Sequence, residues 1–222
     1  MKMNENVNSD IDKSSVLDLK KLVLEERITL AHYDKTAQSF WQGTRDHDVS
    51  QNIEAFLQAM PRHKELDILD FGCGPGRDIY QFKHLGHHPI GLDGSQEFCR
   101  MAHDYTGCEI LHQNFLSLNL QDSAYDGIFA NASLFHIPSN SLPTVLAVLN
   151  RALRPKGILF CSIPRGNEEG WQGDRFGHYM ELEHLSDFLD EAGFDIIHHY
   201  YRPNGLPFEL QPWLAVVSRK KE

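Results

Sequence analysis

The sequence predicts an α/β fold: a seven-stranded, mostly parallel sheet closed by an antiparallel C-terminal hairpin strand. Three observations predict it. From Leu66 onward, short apolar runs alternate with amphipathic stretches of helical length, the pattern of a parallel sheet covered on both faces. The first apolar run leads straight into "FGCGPGRD", where Gly72, Gly74 and Gly76 recur at every second position, a tight strand-to-helix turn. The last two apolar runs have no helix between them, so they pair as a hairpin at an antiparallel edge.

Taken in order, residues 1–13 are polar and read as disordered. Leucines and valines at mixed three- and four-residue spacing predict an amphipathic helix from Ser14 to about Glu26. A polar stretch carrying Tyr33, Phe40 and Trp41 follows, then the helix "NIEAFLQAM", closed by Pro61. Residues 14–60 therefore read as a helical cap on a core running from 64 to 222, all within a single domain. In that core, "LDILDF" is the first strand, and the helix after the glycine loop ends near Gly86. "PIGLD" is the second strand, and Ser95 is the expected N-cap of the helix "SQEFCRMAHDY". "EILHQNF", "YDGIFANAS" and "GILFCSIP" are the next three strands, with the helix "SLPTVLAVLNRAL" before the last of them. "ELEHLSDFLDEAG" is a helix stopped by Gly193, and "FDIIHHYY" and "WLAVVSRK" end the chain.

Bulk composition excludes several function classes. The formal net charge is −10 and no basic patch is visible, which argues against a nucleic-acid partner. No apolar run approaches the roughly 20 residues of a membrane span, and no signal-peptide centre is present. Cys73, Cys99, Cys108 and Cys161 are scattered, without a C-x-x-C pair, as expected of buried thiols in the cytoplasm. Cys73 reads as a small packed side chain, and the His84, His87, His88 group as solvated loop histidines, so no metal site is expected.

The glycine loop is G-x-G-x-G rather than the dinucleotide pattern G-x-G-x-x-G, and Pro75 stiffens it. Alone it is a weak signal, shared with purely structural turns. The second anchor is Asp93, which ends the second strand 23 positions after Asp70. A carboxylate there can accept both hydroxyl protons of a ribose, or it can cap the helix that follows. A ribose without a pyrophosphate points to an adenosine that carries something other than phosphate.

With "LDFGCGPG", "GLD", "QNF", "FANASLFHIP" and "LNRALRPKGILFCS" in that order, the chain resembles the Rossmann-like class I S-adenosylmethionine-dependent methyltransferases from Leu66 to its end. The resemblance implies S-adenosyl-L-methionine as cofactor and gives each matched position a role. Asp70 would help hold the cofactor's amino group, directly or through water. Gly72, Gly74 and Gly76 would shape the loop beside its methionine and ribose parts. Asp93 and Gly94 would meet the ribose, and Asn114 with Phe115 would flank the adenine. Asn131 would pass beside the methionine part, with Trp41 on the cofactor as well. Many relatives have Asp where this chain has Asn114, and Asn can still accept from the adenine amino group.

The less regular segments "FWQGTRDHDVSQN", "PRGNEEGWQGDRFGHYMELE" and "HYYRPNGLPFELQPWLAVV" are similar to the 5-thiohistidine N-methyltransferases of ovothiol biosynthesis. That resemblance implies methyl transfer to a ring nitrogen of 5-thiohistidine, a small amino-acid-like substrate. In many organisms the activity is fused to an iron-dependent sulfoxide synthase, which this chain does not contain; it reads as a stand-alone version or an excised domain, with functional association with such a synthase as one expectation. The alternatives are a methyltransferase for another small thiol or imidazole metabolite, and a non-catalytic partner that only binds the cofactor. His136 is the candidate base or ring-orienting group, or else it packs beside the cofactor without proton transfer. Arg165, Arg175 and Arg202 are candidates for the substrate carboxylate. Tyr33, Trp41, Trp171, Tyr179 and Tyr201 could wall the acceptor by stacking, whereas Trp213 reads as core. "RGNEEGWQGDRFG" is either a closing lid or a plain surface loop.

Overall fold

The computed structural model describes residues 13–61 and 64–222. The expectation of disorder for residues 1–13 lies outside them, save that Lys13 opens the first helix. That helix, α1 (Lys13–Thr44), runs far past Glu26, through the polar stretch that carries Tyr33, Phe40 and Trp41. Its extension has little local apolar periodicity. Thr29, Tyr33 and Asp34 instead hydrogen-bond to the body beneath it. A short helix, α2 (Ser50–Gln58), follows and buries Ile53 and Phe56.

The core alternates β1 (Asp67–Phe71), α3 (Arg77–His84), β2 (His88–Asp93), α4 (Gln96–Thr106), β3 (Ile110–His112), β4 (Tyr125–Asn131), α5 (Leu142–Ala152) and β5 (Leu153–Pro164). Then come β6 (Glu169–Gln172), β7 (Arg175–His178), α6 (Leu182–Glu191), β8 (Phe194–Arg202) and β9 (Trp213–Lys220). The seven-stranded sheet has the order β3-β2-β1-β4-β5-β9-β8. β1 to β5 are parallel, and β9 lies antiparallel between β5 and β8. The C-terminal hairpin thus supplies the reversed strand, and its first strand, β8, is the edge. The segment 165–177 is not an irregular loop. It folds largely as the two-stranded β6–β7 hairpin, turning at Gly173-Asp174 with Trp171 opposite Phe176.

Alternation along the strands divides the core between the two faces of the sheet. On one face Ile128 and Ala130 pack under Leu142, Leu146 and Leu149 of α5 and Leu185 and Leu189 of α6. On the other, Phe129 stacks on Phe160 at 4.6 Å between ring centres and meets Phe56 of α2 and Phe82 of α3. Fully burying each such ring contributes about 1.5–3 kcal/mol. Strand order reverses between β1 and β4, so the loops after their carboxyl ends diverge and leave a crevice. α1 crosses that crevice, packing on α4 and β7.

Candidate active site

The glycine loop is built to bring backbone close. Gly72 has φ +78°, and a side-chain carbon there would overlap the side chain of Ser133 after β4. Gly76 has φ +95°, and a side-chain carbon there would press on the Ala102 backbone of α4 at 3.0 Å. Only glycine combines these conformations with that approach. Ser133 closes the other side by donating to the Phe71 carbonyl at 2.6 Å.

Asp93, 8% exposed, ends β2 with both oxygens engaged. Oδ2 accepts from the Gly74 backbone N–H at 2.9 Å and Oδ1 from that of Ser95 at 2.8 Å. Burial outweighs these bonds and pushes its pKa up to about 6. Ser95 caps α4 as expected, its Oγ accepting from Phe98 N–H at 3.1 Å, and Asp93 lines the crevice. Asp70 lies beneath the loop, 1% exposed, with Oδ2 lacking a hydrogen-bond partner. Burial, and then the nearby Asp78 carboxylate, push its pKa well above the usual carboxylate range.

Above the loop is a cavity of about 830 Å³. Of the residues singled out from sequence, Tyr33, Trp41, Gly72, Gly74, Asp93, Gly94, Phe115, Asn131, His136, Arg175 and Arg202 line it. Phe115 stacks on Phe71 with ring centres 4.3 Å apart, so its ring is held as a fixed wall. The Asn131 side chain is tied down, donating to Asp78 Oδ2 and accepting from Asn52 Nδ2, both at 2.9 Å. Asn114 donates to Glu26 at 3.3 Å from just outside the lining. Trp213, expected in the core, is half-buried and reaches the cavity edge beside Phe135.

Arg165, Trp171, Tyr179 and Tyr201 do not reach the cavity among the described residues. Arg165 is consumed elsewhere: it pairs with Glu181 at 3.0 Å, donates to the Phe208 and Gln211 carbonyls, and sits over the Phe208 and Tyr201 rings. It ties the 203–212 connection to α6. Tyr179 packs edge-on to Phe135, and Trp171 lies on the outer side of the β6–β7 hairpin, 44% exposed.

His136 follows β4 and is bonded on both ring nitrogens. Nδ1 faces the Phe176 carbonyl at 2.7 Å, which can only accept, so Nδ1 carries the proton. Nε2 is therefore the acceptor for the Tyr33 hydroxyl at 2.8 Å. Burial, with the Arg175 charge adding to it, lowers the His136 pKa to about 4, and the ring is neutral at pH 7.

Sequence reading missed the α1 contribution: Glu25, Glu26, Thr29 and Leu30 also line the cavity. Glu26 accepts from Asn114 Nδ2 and Leu116 N–H, and Thr29 Oγ1 accepts from Phe176 N–H at 3.0 Å. The available signal was their spacing, with 26, 29, 30, 33 and 37 on one helical face.

Residues 68–157 match the family described as "Methyltransferase domain". Over those residues the chain is similar to methyltransferase domains, and its sheet has the Rossmann-like methyltransferase fold. The malonyl-[acyl-carrier protein] O-methyltransferase of Pectobacterium atrosepticum is 30% identical over 125 residues, 54% of this chain and 49% of that protein. The chain spans about half the length of the curated relatives it matches. Among solved structures, the 1,6-didemethyltoxoflavin-N1-methyltransferase of Burkholderia thailandensis, with S-adenosylhomocysteine bound, superposes with a TM-score of 0.68 at 19% identity. That match covers 99% of this chain and 94% of the other. The [4+2]-cyclase SpnF superposes with a TM-score of 0.69 at 17% identity, over 89% of this chain and 96% of its own. The fold therefore does not by itself define the reaction.

The residues present fit the cofactor. The glycine cradle rejects side chains, Asp93 offers a buried carboxylate at the cavity, and Asp70 holds an unpartnered oxygen beneath it. S-adenosylmethionine supplies, when bound, a methyl group already activated on a sulfonium.

Proposed function

We propose that this protein transfers a methyl group from S-adenosylmethionine to a ring nitrogen of 5-thiohistidine. One observation carries the reading. The three irregular segments that resemble the 5-thiohistidine N-methyltransferases all send residues into the lining of one cavity. Trp41, Thr44, His47 and Asp48 come from the first, Arg175 and Phe176 from the second, and Arg202, Pro203 and Trp213 from the third. These are the parts of the molecule that distinguish one acceptor from another, because the glycine loop and Asp93 serve the cofactor.

The chemistry asks little of the protein beyond placement. An activated methyl group needs a lone pair in line behind it, and holding the two together supplies much of the rate. The ring-bound sulfur of 5-thiohistidine is a competing nucleophile, so selection of nitrogen rests on orientation. Tyr33 and His136 form a rigid pair for that purpose: His136 is fixed by Phe176, and Tyr33 by His136 and Arg175. Edge-on aromatic contacts of Tyr33 with Phe40 and His136 hold its ring plane. A neutral His136 can receive a proton relayed through the Tyr33 hydroxyl if the acceptor ring must lose one.

The test is mass spectrometry of products after incubation with S-adenosylmethionine and 5-thiohistidine, with histidine in parallel. A single added methyl on the thiohistidine ring nitrogen is expected, and none on histidine. Methyl on sulfur would overturn the orientation argument, and no transfer to thiohistidine would overturn the acceptor.

A further inference from the structure

We infer that Arg175 is the seat of the acceptor's carboxylate, presented from the β6–β7 hairpin two hydrogen bonds away from His136. The inference rests on the reading of the acceptor as an imidazole amino acid bound beside Tyr33 and His136.

Three arginines line the cavity, and their commitments differ. Arg77 is spent: it forms a bidentate pair with Asp78 at 2.6 and 2.9 Å and donates to the Thr44 carbonyl. Arg202 donates to the Asp48 carbonyl at 3.0 Å at the exposed rim. Arg175 has one polar contact among the described residues, the Tyr33 hydroxyl at 3.2 Å, and no carboxylate partner. Asp174, its neighbour in the chain, points elsewhere, largely exposed and 3.5 Å from His32 Nδ1. A half-buried guanidinium with most of its donors unmatched is costly unless something fills the fork. A carboxylate matches that fork with two parallel bonds.

The surroundings fix which carboxylate. Arg175 comes from a different element than Asp93, which ends β2. It stands on β7, beside Phe176, whose carbonyl orients His136. The contacts Arg175–Tyr33 and Tyr33–His136 run 3.2 Å and then 2.8 Å, so guanidinium and imidazole meet at one hydroxyl, close enough for one amino acid to touch both. An imidazole placed at the Tyr33–His136 pair thus has its acid group at Arg175. Hairpin geometry supports the placement: the backbone of Arg175 is held opposite Gln172 next to the turn.

Equilibrium binding to the protein loaded with S-adenosylhomocysteine tests this, with 5-thiohistidine and imidazolepropionate as acids and histamine as the ring without an acid. In the wild type both acids should bind at least tenfold more tightly than histamine. Arg175→Met should erase that difference while leaving S-adenosylhomocysteine affinity within about twofold, which also reports that the variant is folded. Arg175→Lys, which keeps the charge and loses the fork, should retain part of it. A preference for acids that survives Arg175→Met, or is missing from the wild type, overturns the assignment. So does a tenfold loss of S-adenosylhomocysteine affinity in Arg175→Met, which would give the residue to the cofactor's carboxylate instead. If imidazolepropionate behaves as expected but 5-thiohistidine is neither bound nor methylated, the seat stands and the acceptor identity falls.

Discussion

His136 shows how a single residue's environment narrows its chemistry. With Nδ1–H given to Phe176 and Nε2 receiving the Tyr33 hydroxyl, the ring has one tautomer and one orientation. Its pKa of about 4 keeps it neutral throughout an ordinary assay range. The rate should therefore show no inflection near pH 6.5 belonging to this histidine. Loss of the ring should act through misplacement: His136→Ala is expected to reduce kcat by about 10²-fold, the size of effect that follows a displaced wall. S-Adenosylhomocysteine affinity should stay within about twofold. Equal losses of turnover and cofactor affinity would instead make His136 part of the cofactor's packing. Tyr33→Phe separates the two further, because it removes the hydroxyl that both His136 and Arg175 use while keeping the aromatic contacts.

Among the elements, α1 departs furthest from what the sequence showed. Strands and core helices were legible because each has its own apolar period, from "LDILDF" to "WLAVVSRK". The second half of α1 has no such pattern. Its stabilisation comes from partners far along the chain: Thr29 with Phe176, Tyr33 with His136, and Asp34 with the start of α4. β6 and β7 were hidden for a related reason, since four glycines in 165–177 mask a hairpin that forms under α1. The same distance explains the site. Asp93 and the glycine loop are local and readable, whereas that Arg175 and Arg202 reach the cavity and Arg165 does not needed the tertiary structure. Asp34 gives this scale its prediction. Its Oδ1 accepts from Ser95 Oγ at 2.6 Å and Glu97 N–H at 3.1 Å, so α1 caps α4 jointly with Ser95. Asp34→Ala should destabilise the protein by about 1 kcal/mol, the usual worth of a cap. It should also speed hydrogen exchange along α1 more than along α5, which makes no such contact; uniform acceleration would mean that Asp34 is not a specific tether.

For the whole molecule, the proposed seating of the cofactor's ribose at Asp93 would link cofactor binding to proton binding. Its folded pKa, about 6, lies above the ordinary value of 3.8, because burial outweighs its backbone hydrogen bonds. The stability it contributes to the empty protein is present below about pH 4 and is lost as pH rises through about 6. A ribose works in the opposite sense, since its two hydroxyls donate to the ionised carboxylate and favour the charged form. Cofactor affinity should consequently fall as pH drops through about 6, by up to about tenfold per pH unit. Thermal unfolding reads this out. At pH 7.5, S-adenosylhomocysteine at about 100 times its Kd adds about 2.7 kcal/mol, a rise in Tm of roughly 5–10 °C for a chain of this size. At pH 5 and the same ligand concentration, about half of that rise should remain. Asp93→Asn cannot ionise and should show a small rise that is the same at both pH values. If the variant kept the wild-type pH dependence, the linked proton would belong to another group, and Glu26, which also lines the cavity with a raised pKa, would be the residue to substitute next.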